Sequence, residues 1–167
     1  MQAKPIIRPA IQADLETVCQ IYNEGIDDRI ATFETNHRAP KDVAPWLDYP
    51  QPFIVIEKND RVLGWAAGSS YSARECYAGI VSFSIYIARE ARGQGLGQPL
   101  LAGFIAACEE AGFWKIVSRI FPENVASLAP CKKLGFRVVG TYEKHAKLDG
   151  EWRDAVVVER LLEGNLS

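Results

Sequence analysis

Histidine is scarce in this chain: only His37 and His145 occur, and neither lies near a cysteine at metal-ligand spacing. The four cysteines, Cys19, Cys76, Cys108 and Cys131, are scattered without a Cys-x-x-Cys pair, which fits reduced thiols and excludes the common zinc and dithiol signatures. No metal is expected. A basic excess is missing too: 19 lysines and arginines stand against 21 acidic residues, a net charge of −2, so there is no electrostatic footprint for nucleic acid. No apolar run approaches the roughly 18 residues of a membrane span, and residues 1–5 lack the apolar core of a signal peptide. The expectation is a cytoplasmic protein that meets small molecules, with no nucleic-acid or membrane partner. Internal repeats and low-complexity segments are absent, and 167 residues with 48% hydrophobic content suit a single domain over 1–167.

One stretch organises what is present. Ile85, Tyr86 and Ile87 close a strand-like pattern, while Leu96, Leu100, Leu101, Phe104, Ile105 and Cys108 recur at helical spacing. Between them lies Arg92-Gly93-Gln94-Gly95-Leu96-Gly97. Alternate glycines remove side chains where backbone N–H groups must approach a ligand, and the following helix adds its positive end. That combination suits a diphosphate, although a plain strand-to-helix turn uses the same residues. The dinucleotide fingerprint needs a small residue at the sixth place counting from Gly93, where Gln98 stands. A P-loop needs Gly-Lys-Ser/Thr, but Gly97 precedes Gln98 and Pro99.

In chain order, residues 6–10 read as a first strand, and Asp14 as the cap of a helix carrying Leu15, Val18, Tyr22 and Ile26, weakened near its end by Gly25. Residues 27–34 read as loop and 41–49 as a short helix stopped by Pro50 and Pro52. Runs 53–56 and 62–67 flank Asn59-Asp60 as an antiparallel hairpin. A polar connection over 69–78 leads to the central strand and then to a helix with Pro99 in its first turn and Gly112 at its end. A strand over 115–121, a short helix capped by Asn124, and strands 136–140 and 155–158 around a long polar hairpin complete the chain. The order argues for α/β with a mixed sheet.

With these elements in place, the chain resembles the GNAT acetyltransferases along nearly its whole length. The carriers are Arg92-x-x-Gly95-x-Gly97, the run 122–127 with Asn124, and Lys133-Leu134-Gly135-Phe136. The resemblance implies a mostly antiparallel mixed sheet, helices on both faces, splayed where acetyl-CoA binds. It implies acetyl-CoA contacts at Ile85, Tyr86, Ile87, Arg92, Gly93, Gln94, Gly95, Leu96, Gly97, Gln98, Asn124 and Ser127. Asn124 serves equally well as a helix cap. Segments 21–26, 28–34, 72–77 and 150–154 are similar to the branch of phosphinothricin, methionine sulfoximine and arsinothricin acetyltransferases, which acetylate the α-amine of toxic glutamate-like amino acids. That branch implies a homodimer, resistance by detoxification, and substrate contacts at Arg74, Phe33, Tyr77 and Arg29. Phe33 and Tyr77 suit ordinary packing as well.

Two departures bear on the chemistry. Where similar enzymes carry a glutamate proposed as base, this chain has Ser82, and where many carry a tyrosine acid it has Cys131. Ser82 ordering a water, or Glu75 beside Arg74, are the replacements considered for catalysis. A protein N-terminal or polyamine acetyltransferase, and an acetyl-CoA-binding sensor with weak catalysis, are the alternatives to an amino-acid enzyme.

Overall fold

The computed structural model describes residues 3–167. Seven strands form one sheet in the order β1-β2-β3-β4-β5-β7-β6. They are β1 (Ile6–Pro9), β2 (Phe53–Lys58), β3 (Arg61–Ser70), β4 (Ile80–Ile87), β5 (Lys115–Ile120), β6 (Arg137–Leu148) and β7 (Glu151–Leu161). Every neighbouring pair is antiparallel except β4 and β5, which run parallel. The helices are α1 (Leu15–Asp27), α2 (Pro40–Val43), α3 (Gly97–Glu110) and α4 (Val125–Lys133). The mixed, mostly antiparallel sheet with helices on both faces agrees with the sequence reading.

Strand alternation explains how the two faces are filled. Tyr86 stacks on Trp65 with ring centroids 4.9 Å apart and meets Tyr22 of α1 at 5.1 Å, whereas Phe83 points to the other side and meets Phe104 of α3 at 5.3 Å. Trp65, Phe104, Leu100, Leu101, Val55 and Ile56 are sealed within this core. Gly25 is the exchange that makes α1 fit: a Cβ there would stand 2.5 Å from the Tyr86 ring. The helix therefore runs through Gly25 to Asp27, and its apolar face is flush with the strand.

The structure departs from the sequence reading in three places. Asp14 does not cap α1 with its side chain; Arg8 donates to both of its carboxylate oxygens at 2.8 and 3.0 Å, and the Ile11 amide donates at 2.8 Å. The expected helix over 41–49 is α2 followed by a 3-10 turn, Ala44–Asp48. The closing strands are far longer than expected, extending to a tight turn at Asp149 (φ 51°) and Gly150 (φ 82°). β6 is an edge strand exposed along most of its length, so it needs no apolar alternation, and polar residues that suggest a loop carry the ladder.

Candidate active site

The parallel pair at the sheet centre is incomplete. β4 and β5 pair only at Ile80↔Lys115, Val81↔Ile116 and Ser82↔Val117. Beyond Ser82, β4 stays with β3 up to Ile87↔Gly64, and β5 stays with β7 up to Ile120↔Val156. Each is held by its outer neighbour, so a wedge opens between them. The buried Ser118 hydroxyl donates to the Phe83 carbonyl at 3.0 Å, serving the first acceptor past the last rung. The Ala88 amide donates to Leu63 across β3 at 2.8 Å, so alternation turns the backbone groups of Ile85 and Ile87 the other way, into the wedge. No strand lies opposite them there.

Continuous with the wedge is a cleft of about 520 Å³ between the 88–96 loop, the start of α3 and α4. Gly93 and Gly95 adopt φ of +78° and +76°, and a Cβ on either would meet nothing within 4 Å. Backbone conformation, and not packing, demands glycine at both. The first intrahelical bond of α3 is made by the Leu100 amide to Leu96 at 3.2 Å, which leaves the amides of Gly97 and Gln98 without helical acceptors; Pro99 has none to lose. The loop is tied to α1 at its back. Asp28 accepts from Arg89 at 2.9 Å and from Arg92, and the Glu24 carboxylate takes the Arg89 amide at 3.0 Å. Burial works against the Asp28 carboxylate, but the bonds from Arg92 and Arg89 outweigh it and hold its pKa below the ordinary value.

Ile85, Tyr86, Ile87, Arg92, Gly93, Leu96, Gly97, Gln98, Asn124 and Ser127 line this one cleft together with Gly95, while Gln94 turns to the Glu90 carbonyl at 3.4 Å and stays outside. Asn124 caps α4 and also lines the cleft. Its Oδ1 accepts from the Ser127 amide at 3.3 Å. Lys133, one turn after Ala129 on α4, also lines the cleft and places a cation there, although it is not among the expected acetyl-CoA contacts.

A smaller hollow sits in the wedge itself, walled by Ser84, Ile85, Ser118, Arg119 and Asn124 among others. It shares Ile85, Asn124 and Ser127 with the cleft, so the two spaces adjoin. Ser82 is half-buried on the last paired rung, on the face shared by Ser84 and Tyr86. Cys131 is only 1% exposed and lines neither the hollow nor the cleft, and burial pushes its thiol up to about 11.

The expected acceptor residues are placed differently from the cofactor set. Arg74, Glu75 and Tyr77 are exposed at the far end of β4 on a 3-10 turn and its approach, with the Arg74 guanidinium 5.8 Å from the Tyr77 ring; none lines the cleft or the hollow. Arg29 is committed to the fold, donating to Asp149 at 2.8 Å and to the Ile26 carbonyl at 2.8 Å. Phe33 packs edge-on against Phe121 at 4.8 Å. Ser118 and Arg119, adjacent on β5, wall the hollow but belong to no motif in the sequence. Their alternation, Ile116, Ser118 and Ile120 inward and Val117 and Arg119 outward, is visible in the sequence, but the opening of the wedge is not.

The family model of the acetyltransferase (GNAT) domain matches residues 5–137. A phosphinothricin N-acetyltransferase of Streptomyces coelicolor is 31% identical over 163 residues, covering 93% of this chain and 95% of that protein. An L-methionine sulfoximine/L-methionine sulfone acetyltransferase of Pseudomonas aeruginosa is 29% identical, covering 92% of each. Among solved structures, a phosphinothricin acetyltransferase of Sinorhizobium meliloti in complex with acetyl-CoA superposes with a TM-score of 0.88 at 29% identity, over 96% of this chain and 89% of that one. The open glycine turn and the free first-turn amides fit a coenzyme A diphosphate. With motif, wedge and cleft in agreement with these relatives, the chain belongs to the GNAT acetyltransferases and is an N-acetyltransferase.

Proposed function

We propose that this enzyme transfers acetyl from acetyl-CoA to the α-amine of a small glutamate-like amino acid, of the phosphinothricin, arsinothricin or methionine sulfoximine type, and so confers resistance by detoxification. The observation that carries the reading is the meeting of the cleft and the wedge hollow, which gives an acyl donor and a small amine adjoining places. The named activities of the relatives support an amino-acid acceptor.

Acetyl-CoA supplies an activated thioester. The chain's own contribution is positional: the loop and α3 amides hold the diphosphate, Asn124 and Ser127 line the arm, and the backbone of Ile85 and Ile87 faces the wedge. Preorganised amides aimed at developing negative charge, and two reactants held side by side, each lower the barrier without a covalent step. Ser82 orders a water that takes the amine proton, and Glu75, Arg74 and Tyr77 act as a group from the connection into β4. Phe33 and Arg29 shape the acceptor side through Phe121 and Asp149. A homodimer belongs to the same reading, supported by exposed Val138, Val139, Tyr142 and Trp152 on β6 and β7. So does a cytoplasmic setting, where the acetyl donor is available.

Thiol release from acetyl-CoA, measured over phosphinothricin, methionine sulfoximine, methionine sulfone, arsinothricin, glutamate, short peptides and polyamines, tests this. Release with the free amino acids is expected. Release with peptides or polyamines alone would move the reading to the corresponding acetyltransferase, and acetyl-CoA binding with no release for any amine would make the protein a sensor.

A further inference from the structure

Arg119 is the charged side chain at the wedge for which the fold gives no reason. It is exposed, lines the hollow beside Ser84 and Asn124, and forms no ion pair among the described residues. Its guanidinium lies 6.0 Å from the Tyr142 ring, which is itself stacked on His145 at 4.6 Å. This aromatic rest leaves the N–H fork without an acceptor. Other arginines nearby are spent: Arg89 and Arg92 on Asp28, Arg29 on Asp149, Arg153 near Glu123.

The amine and carboxylate of an α-amino acid share one carbon. Whatever holds the carboxylate must therefore stand beside the place where the amine reacts. Arg119 stands there, two residues past the last β4–β5 rung, and Arg74 does not. A planar guanidinium pairs with a carboxylate through two parallel hydrogen bonds, which fixes orientation as well as position. We infer that Arg119 binds the α-carboxylate of the acceptor, leaving Arg74 for the distal acidic group. This rests on the amino-acid reading above and assigns within it the residue that separates amino acids from simple amines.

The test compares Arg119→Ala and Arg119→Lys with the unaltered enzyme on matched acceptors. These are methionine sulfone with 3-(methylsulfonyl)propylamine, its decarboxylated amine, and phosphinothricin with its own decarboxylated amine. Arg119→Ala should raise KM for the amino acids by about 10-fold to 100-fold, the range of one charged hydrogen-bonded contact. It should leave KM for the decarboxylated amines and calorimetric acetyl-CoA affinity near their original values, and Arg119→Lys should recover part of the loss. Equal loss on both members of a pair, or no change on either, overturns the assignment. If the unaltered enzyme acetylates none of the free amino acids, the functional reading fails and takes this assignment with it; an active enzyme indifferent to Arg119→Ala rejects the assignment alone.

Discussion

Ser82 occupies the last rung at which the central strands still touch, paired with Ser69 on β3 and Val117 on β5. A hydroxyl and the water it orders are far weaker bases than a carboxylate, so on the proposed mechanism removal of the amine proton is slow at neutral pH. Turnover should accordingly climb with pH above neutrality. Ser82→Glu should be faster at pH 7, by about 10²-fold or less, the contribution of one general base. pH–rate profiles at saturating acetyl-CoA check this. A folded, cofactor-binding Ser82→Glu protein with no gain at pH 7 would mean that another group already does the work. At this scale the sequence was readable for backbone chemistry and poor for contacts. Gly93, Gly95 and Asn124 announce themselves because glycine alternation and capping are local properties. The contacts of Arg29 and Phe33 are hidden for the converse reason: their partners, Asp149 and Phe121, lie far along the chain.

The 88–96 loop is an element whose glycines serve conformation and open space together. At φ +76°, Gly95 holds a backbone that L side chains rarely adopt, and the space above it faces the cleft. Gly95→Val would not collide with the protein, but it would strain the turn by about 1 to 3 kcal/mol and put a branched side chain over the amides. Acetyl-CoA affinity should fall on the order of ten-fold or more while circular dichroism stays native. Calorimetry on a folded variant with undiminished affinity would remove the diphosphate from this loop. The loop, α3 and the β2–β3 hairpin were legible because each carries its own punctuation, such as Asn59 and Asp60, which both take positive φ at the hairpin turn. The last hairpin was not, because an exposed edge strand bears no hydrophobic signature, and its register bends at bulges near Gly140 and between Tyr142 and Ala146.

For the whole molecule, acid stability has an identifiable contributor. Asp14 is buried between Arg8 on β1 and the Ile11 amide, and Arg8's hydrogen bonds hold its pKa below the ordinary 3.8. A depressed folded-state pKa means that the stabilisation is complete above the unfolded value and is lost as pH falls through the folded one. Asp14→Asn should cost roughly 1.5 to 3 kcal/mol at pH 7 by urea unfolding, as for a charged hydrogen-bonded partner, and the difference should shrink in acid. A difference that stays constant down to pH 3 would assign the cost to packing.

The Ser118 hydroxyl, finally, works as the stop on a zipper. A side chain, and not a further rung, meets the Phe83 carbonyl where the seam of the sheet ends. The two halves of the molecule, one hung on β3 and the other on β7, are thereby free to differ in their outer loops while the depth of the gap between them stays fixed. On the proposed function, an acceptor of any shape at the mouth brings its nitrogen down to the same floor.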